Sequence, residues 1–274
     1  MSSNVTIVRP RSGWRFIDWQ ELREYGDLFY FLVWKEIKVR YAQSILGVGW
    51  AVIQPVFSMI VFTIVFSRLA GIESDGAPYA VFSFAALVPW TYFSNAVTDS
   101  STTMIQNSNM VQKIYFPRMI LPIAAVLGKL VDFAIALVLL FGMLVFYGKM
   151  PNAGVLLLPV LAVIMVLSAA GIGLAFSAMS VQYRDVRYAL AFIIQLAMYA
   201  APVVYPASYI PDAFRLAYAV NPMVGVIEGF RSALLGTNPM PWDFVGIGAA
   251  SSVILFLLGA LYFHRVERYF ADVS

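Results

Sequence analysis

Residues 119–147 read MILPIAAVLGKLVDFAIALVLLFGMLVFY, and Lys129 and Asp132 are the only charges in the run. A helix needs roughly 20 such residues to cross about 30 Å of hydrocarbon. The run lacks the polar and apolar alternation of a membrane barrel strand. A backbone that must satisfy its own hydrogen bonds in lipid is therefore helical here. Five more runs share this character, at 47–66, 79–97, 155–179, 188–205 and 245–263. The expected fold class is an all-α integral membrane protein with six transmembrane helices.

Composition agrees. Of 274 residues, 61% are hydrophobic and 12% are charged, against roughly 25% charged in a soluble domain. Mean hydropathy is +0.79. With no cysteine in the chain, disulfides, thiolate metal sites and a cysteine nucleophile are excluded. A net charge of +3 is too small to suggest a nucleic-acid partner, so what matters is where the cations lie. The polar first 40 or so residues do not read as a cleavable signal peptide, and the first span is expected to serve as targeting signal. With both termini on the cytoplasmic side, the inner segments hold Arg9, Arg11, Arg15, Arg23, Lys35, Lys38, Arg40, Lys113, Arg118, Arg184, Arg187, Arg265 and Arg268. The outer segments hold Arg68, Lys149, Arg215 and Arg231. That asymmetry predicts a multi-pass protein with both ends on the cytoplasmic side.

The expected domains are a cytoplasmic N-terminus over 1–44, carrying an amphipathic interface helix at 18–41, and a transmembrane domain over 45–274. That helix mixes Leu22, Leu28, Leu32, Trp34 and Ile37 with Arg23, Lys35, Lys38 and Arg40, which suits a membrane anchor or a protein-docking surface. The loop at 99–118 interleaves Met104, Ile105, Met110 and Val111 with Ser, Thr, Asn and Gln, and a short docking helix is expected there. Segment 206–243 is too apolar for an aqueous loop, yet Pro206, Pro211, Pro222, Pro239 and Pro241 punctuate it. Short re-entrant outer helices broken near Pro222 satisfy both facts. A short cytoplasmic C-terminus follows at 264–274.

Catalytic patterns are few. The chain has one histidine, His264, no His-Glu metal pattern and no Gly-rich phosphate loop with its lysine, so neither an enzyme nor an ATPase is read from it. Lys129 and Asp132, at i and i+3, share a helix face and can neutralise each other, as a structural pair or as an ion relay. Tyr188, Phe192, Gln195 and Tyr199 form one helical stripe that leads to Tyr205 and Tyr209, and Trp50, Gln54 and Phe57 form another. Aromatic faces suit sugar C–H surfaces, and amides and phenols suit hydroxyls. Helix–helix packing with buried amides is the alternative.

Trp34-Lys35-Glu36-Ile37-Lys38-Val39-Arg40-Tyr41 leads through Ser44, Leu46, Gly47 and Trp50 to Pro55. With Lys113 to Arg118, Tyr183-Arg184-Asp185, and Asn221-Pro222 followed by Arg231 and Leu234-Leu235-Gly236, this stretch resembles the permease subunits of bacterial ABC transporters that export O-antigen, teichoic acid and related surface polysaccharides. The resemblance implies a place in the bacterial cytoplasmic (inner) membrane. It implies a homodimer served on the cytoplasmic side by two ATP-binding subunits, which would hold ATP and Mg while this chain holds no cofactor. The cargo expected is a lipid-linked polysaccharide, most readily O-antigen, moved through a conduit lined by Trp50, Gln54, Phe57, Gln195, Tyr199, Tyr205 and Tyr209. Lys35, Lys38, Arg40, Lys113 and Arg118 are the expected docking residues, with Pro222 at an outer gate. An exporter of small drugs or lipids would share the architecture but with a continuous apolar cavity. A membrane enzyme of lipid-linked sugar metabolism would need paired carboxylates or a metal site.

Overall fold

A computed structural model describes residues 24–42, 47 and 49–267. Arg9, Arg11, Arg15, Arg23, the start of the expected interface helix, Ser44, Leu46 and Arg268 lie outside the described residues. Every regular element among the described residues is helical. They run α1 (Gly26–Tyr41), α2 (Gly49–Phe62, continued as a π-helix over Thr63–Leu69), α3 (Tyr79–Gln106), α4 (Ser108–Lys113), α5 (Ile120–Gly128) and α6 (Leu130–Phe146). After a 3₁₀ turn come α7 (Leu158–Gln182), α8 (Val186–Tyr199), α9 (Asp212–Ala219), α10 (Pro222–Leu235) and α11 (Trp242–Glu267).

Among the described residues, five helical stretches are long and apolar enough to cross a membrane: Gly49–Leu69, Tyr79–Gln106, Ile120–Phe146, Ala153–Gln182 and Trp242–Glu267. The run expected at 188–205 is shorter than predicted. Its helix, α8, has 14 residues, about 21 Å at 1.5 Å per residue. Ala200 and the residues up to Pro206 form turns rather than helix, because Pro202 and Pro206 push the residues before them away from helical backbone. The second span differs the other way. Polar residues 99–106, expected in a loop, continue α3 to Gln106. Three of their hydroxyls bond back along the helix: Ser101 Oγ donates to the Thr98 carbonyl at 2.7 Å, Thr102 Oγ1 to that of Asp99 at 3.0 Å, and Thr103 Oγ1 to the same carbonyl at 2.9 Å. Hydroxyls bonded back in this way let Ser and Thr sit in a buried helix. The short helix expected beyond it is α4.

Helix α3 is the axis of the packing, touching α2, α5, α6, α7, α8 and α10. A ladder of rings ties it to two neighbours, with Tyr92 5.6 Å from Phe133 of α6, and Phe133 6.0 Å from Phe230 of α10. All of α10 is buried. Helices α7 and α11 make the most extensive pairing, and two glycines permit it. A Cβ on Gly171 would stand 2.5 Å from the Leu255–Phe256 peptide, and one on Gly259 would strike the Gly171 carbonyl. Close approach through small residues is how helices associate where lipid removes the hydrophobic drive. The two helices left at the edge are α2 and α8, both leaning on α3.

Candidate functional site

At the end of the bundle that carries α1, four charged residues from α1, α3 and the α5–α6 segment converge. Arg40 of α1 donates through Nη2 to Asp99 of α3 at 3.0 Å, and through Nη1 to Asp132 of α6. Lys129, at the break between α5 and α6, pairs with Asp99. The Tyr41 hydroxyl donates to Asp132, and burial together with that carboxylate pushes the phenol up to about 12. The pair expected between Lys129 and Asp132 is thus replaced by pairs across helices, because Arg40 and Asp99, brought in by tertiary packing, offer each residue a nearer partner. These residues border a cavity of about 510 Å³ that is also lined by Glu36, Asn95, Trp50 and Gln54.

Close by, Lys35 Nζ donates to Asn107 Oδ1 at 2.7 Å, which ties α1 to the α3–α4 junction. The Arg118 guanidinium donates to the Glu267 carbonyl at 3.1 Å, joining the entry of α5 to the end of α11. Lys38 and Lys113 are exposed, as are Tyr30, Phe31, Trp34, Val39, Ile114 and Tyr115. Of the five expected docking residues, Arg40 therefore turns into the charged cluster, while Lys38 and Lys113 turn outward.

At the opposite end, the turn after α8 is bonded to α10 and α3. Arg231 donates through Nη2 to the Val203 carbonyl at 3.0 Å, through Nη1 to that of Tyr205 at 3.2 Å, and through Nε to that of Phe82 at 3.4 Å. Its guanidinium lies 3.5 Å from the centroid of the Phe82 ring. Glu228 accepts from Arg231 Nη1 at 2.7 Å and from the Ala207 N–H at 3.2 Å. Tyr79 donates its hydroxyl to the Val204 carbonyl at 2.7 Å. The segment held in this way carries a tyrosine cluster. Tyr205 donates to the Tyr199 carbonyl at 2.9 Å, Tyr218 donates to the Tyr205 hydroxyl at 3.2 Å, and Tyr209 Oη accepts the Glu73 N–H at 3.2 Å.

The expected conduit residues fall into two groups. Trp50, Gln54 and Phe57 lie along α2 and Gln195 and Tyr199 along α8, all exposed, with Trp50 at 56%, Phe57 at 64% and Tyr199 at 51%. Trp50 and Gln54 also meet the charged cluster at the cavity. Tyr205 and Tyr209 belong instead to the cluster at the opposite end. Pro222 opens α10, where Asn221 Oδ1 caps the helix by accepting the Met223 N–H at 3.1 Å. Residue-by-residue reading missed Asp99 and Tyr41 as cluster members and placed Arg231 in an outer segment without a partner. The available signal was Glu228 three residues before Arg231 in an otherwise apolar stretch.

Sequence similarity to known proteins extends over most of the chain. The chain is 28% identical over 253 residues to the O-antigen export system permease protein RfbA of Myxococcus xanthus, covering 91% of this chain and 96% of that protein. It is 26% identical over 248 residues to an O-antigen export system permease protein RfbA of Klebsiella pneumoniae, covering 90% and 95%. It is also 23% identical over 241 residues to the polysialic acid transport protein KpsM of Escherichia coli, covering 85% and 91%. The family model described as ABC-2 type transporter matches residues 27–235, a span that takes in α1, the charged cluster and all of α10, and the chain belongs to that family.

Proposed function

We propose that this chain is the membrane permease of an ATP-driven exporter of a lipid-linked polysaccharide, with O-antigen as the cargo class. In this reading two copies assemble in the bacterial inner membrane, and two separate ATP-binding subunits, which hold ATP and Mg, sit on the cytoplasmic side at the α1 end. Both termini face the cytoplasm. The first span and α8 of the two copies enclose a conduit through which the glycan slides, lined by Trp50, Gln54, Phe57, Gln195, Tyr199, Tyr205 and Tyr209. The helices around Pro222 form its outer gate. Lys35, Lys38, Lys113 and Arg118, with the apolar groups of α1 and α4, form the docking face, and Arg40, the other expected docking residue, stands behind it in the charged cluster.

One observation carries this reading. While α3 and α10 are closed on themselves, α2 and α8 turn stripes of rings and amides outward. Amides such as Gln54 and Gln195 are costly against hydrocarbon and call for a polar counterpart. A second copy and a hydroxyl-rich chain supply one. A polymer longer than the bilayer is thick must slide past many weak contacts, and ring faces provide those without the grip of charges. The relatives named for O-antigen export and polysialic acid transport support the cargo class.

The test is Trp50→Ala with Tyr199→Ala, scored by surface polysaccharide at matched permease abundance and matched copurification of the ATP-binding subunit. A several-fold loss of surface glycan is expected, while Phe146→Ala, on an outward face of α6, exports normally. Normal export by the double variant overturns the conduit and leaves the family assignment standing. The docking face is tested separately, since Lys38→Glu with Lys113→Glu should strip the ATP-binding subunit from the purified complex, and full retention rejects it.

A further inference from the structure

We infer that Arg231 and Glu228 form a latch that positions the tyrosine wall at one mouth of the conduit. The inference rests on the conduit reading above and adds the residues that hold the wall in place. Residues 200–206 are non-helical, and irregular backbone at membrane depth persists only where its polar groups find partners. Here three consecutive carbonyls do so. Those of Val203 and Tyr205 accept from Arg231, and that of Val204 accepts from Tyr79. The Ala207 N–H is taken by Glu228. One side chain thus answers two of the three carbonyls, and its paired carboxylate fixes the next N–H along the chain.

Arginine suits this role in a way lysine does not. The planar fork reaches the carbonyls of Val203, Tyr205 and Phe82 at once and lies over the Phe82 ring, whereas an ammonium is a single point charge. Arg231 and Glu228 are buried within α10, so they touch no glycan and act only through the segment they hold. That segment carries Tyr205 and Tyr209, whose hydroxyls reach Tyr199, Tyr218 and the 70–77 turn. Releasing the latch moves the wall without removing any ring from it.

Because the chain has no cysteine, the position of the segment can be read directly. Ser208 Oγ donates to Asp75 Oδ1 at 3.3 Å, so Ser208→Cys with Asp75→Cys forms a disulfide when the segment is seated. The pair is oxidised with copper phenanthroline in membranes containing the whole transporter, and the rate is compared in wild-type, Tyr79→Phe and Arg231→Lys backgrounds. Arg231→Lys should slow cross-linking roughly tenfold, the factor attached to one charge-assisted hydrogen bond, and Tyr79→Phe by roughly threefold. Without the cysteines, export should fall in the same order at unchanged permease abundance, a readout that a purely structural pair in a normally accumulating protein would not move. Unchanged cross-linking in both backgrounds overturns the latch. Slowed cross-linking with normal export confirms the latch and rejects the tyrosine wall as part of the conduit. Should Arg231→Lys fail to accumulate, Tyr79→Phe decides by the same two criteria.

Discussion

The molecule handles buried charge in two ways, one at each end. At the α1 end, Arg40, Asp99, Lys129 and Asp132 come from α1, α3 and the α5–α6 segment and border a cavity, and the Asp99 side chain is 41% exposed. At the other end, Glu228 and Arg231 sit three residues apart on one helix, and the Arg231 side chain is 4% exposed. A set shared among helices and open to water can exchange partners when those helices move, because hydration covers the interval between one pairing and the next. A dry pair cannot, since separating it leaves a bare charge in a medium that does not solvate it. The first arrangement suits a junction that must adjust and the second a segment that must stay fixed.

The sharpest way to break the comparison is to remove one partner from each set and compare stability in the purified permease. Glu228→Ala strands Arg231 and should cost about 3–5 kcal/mol, read as a large fall in melting temperature and in membrane abundance. Lys129→Met leaves Asp99 with Arg40 and with water, so about 1–2 kcal/mol is expected. Equal losses from the two substitutions would erase the distinction. The smallest expected effect is at Tyr41, where Tyr41→Phe removes one hydrogen bond to Asp132 at a cost near 1 kcal/mol. The sign of its pH dependence follows from the raised phenol, about 12 in the fold against 10.0 unfolded. Its contribution is complete below pH 10 and is lost as pH rises through about 12. The difference between Tyr41→Phe and wild type should therefore be flat from about pH 6 to about pH 9, and a slope there would show Tyr41 ionising and the cluster more hydrated than its geometry indicates.

Five of the six expected spans were readable because hydrophobic run length is a one-dimensional property, whereas the sixth, at 188–205, is a shorter helix followed by turns. The errors come where a three-dimensional partner changes the meaning of a residue. Ser101 and Thr103 read as loop but lie in α3, since their hydroxyls bond to carbonyls of the same helix and present little unsatisfied polarity to the core. The end of α8 was set too far along because the apolar turn to Pro206 has the composition of a span without its backbone. Lys129 and Asp132 were legible as intramembrane charge but not as members of a larger set, since their partners Asp99 and Arg40 lie 30 and 92 residues away respectively. The stripes on α2 and α8 were legible as periodicity, and their outward direction needed the neighbours that leave them uncovered.

The glycine seam between α7 and α11 has a mechanical consequence. Where the Gly171 backbone lies directly on Gly259, the helices have no side-chain cushion to shear, so sliding one past the other forces backbone atoms over each other. That half of the subunit behaves as a stiff spine, in contrast to the lightly packed edge formed by α2 and α8. A force on either helix therefore moves the two together as one body instead of sliding one past the other.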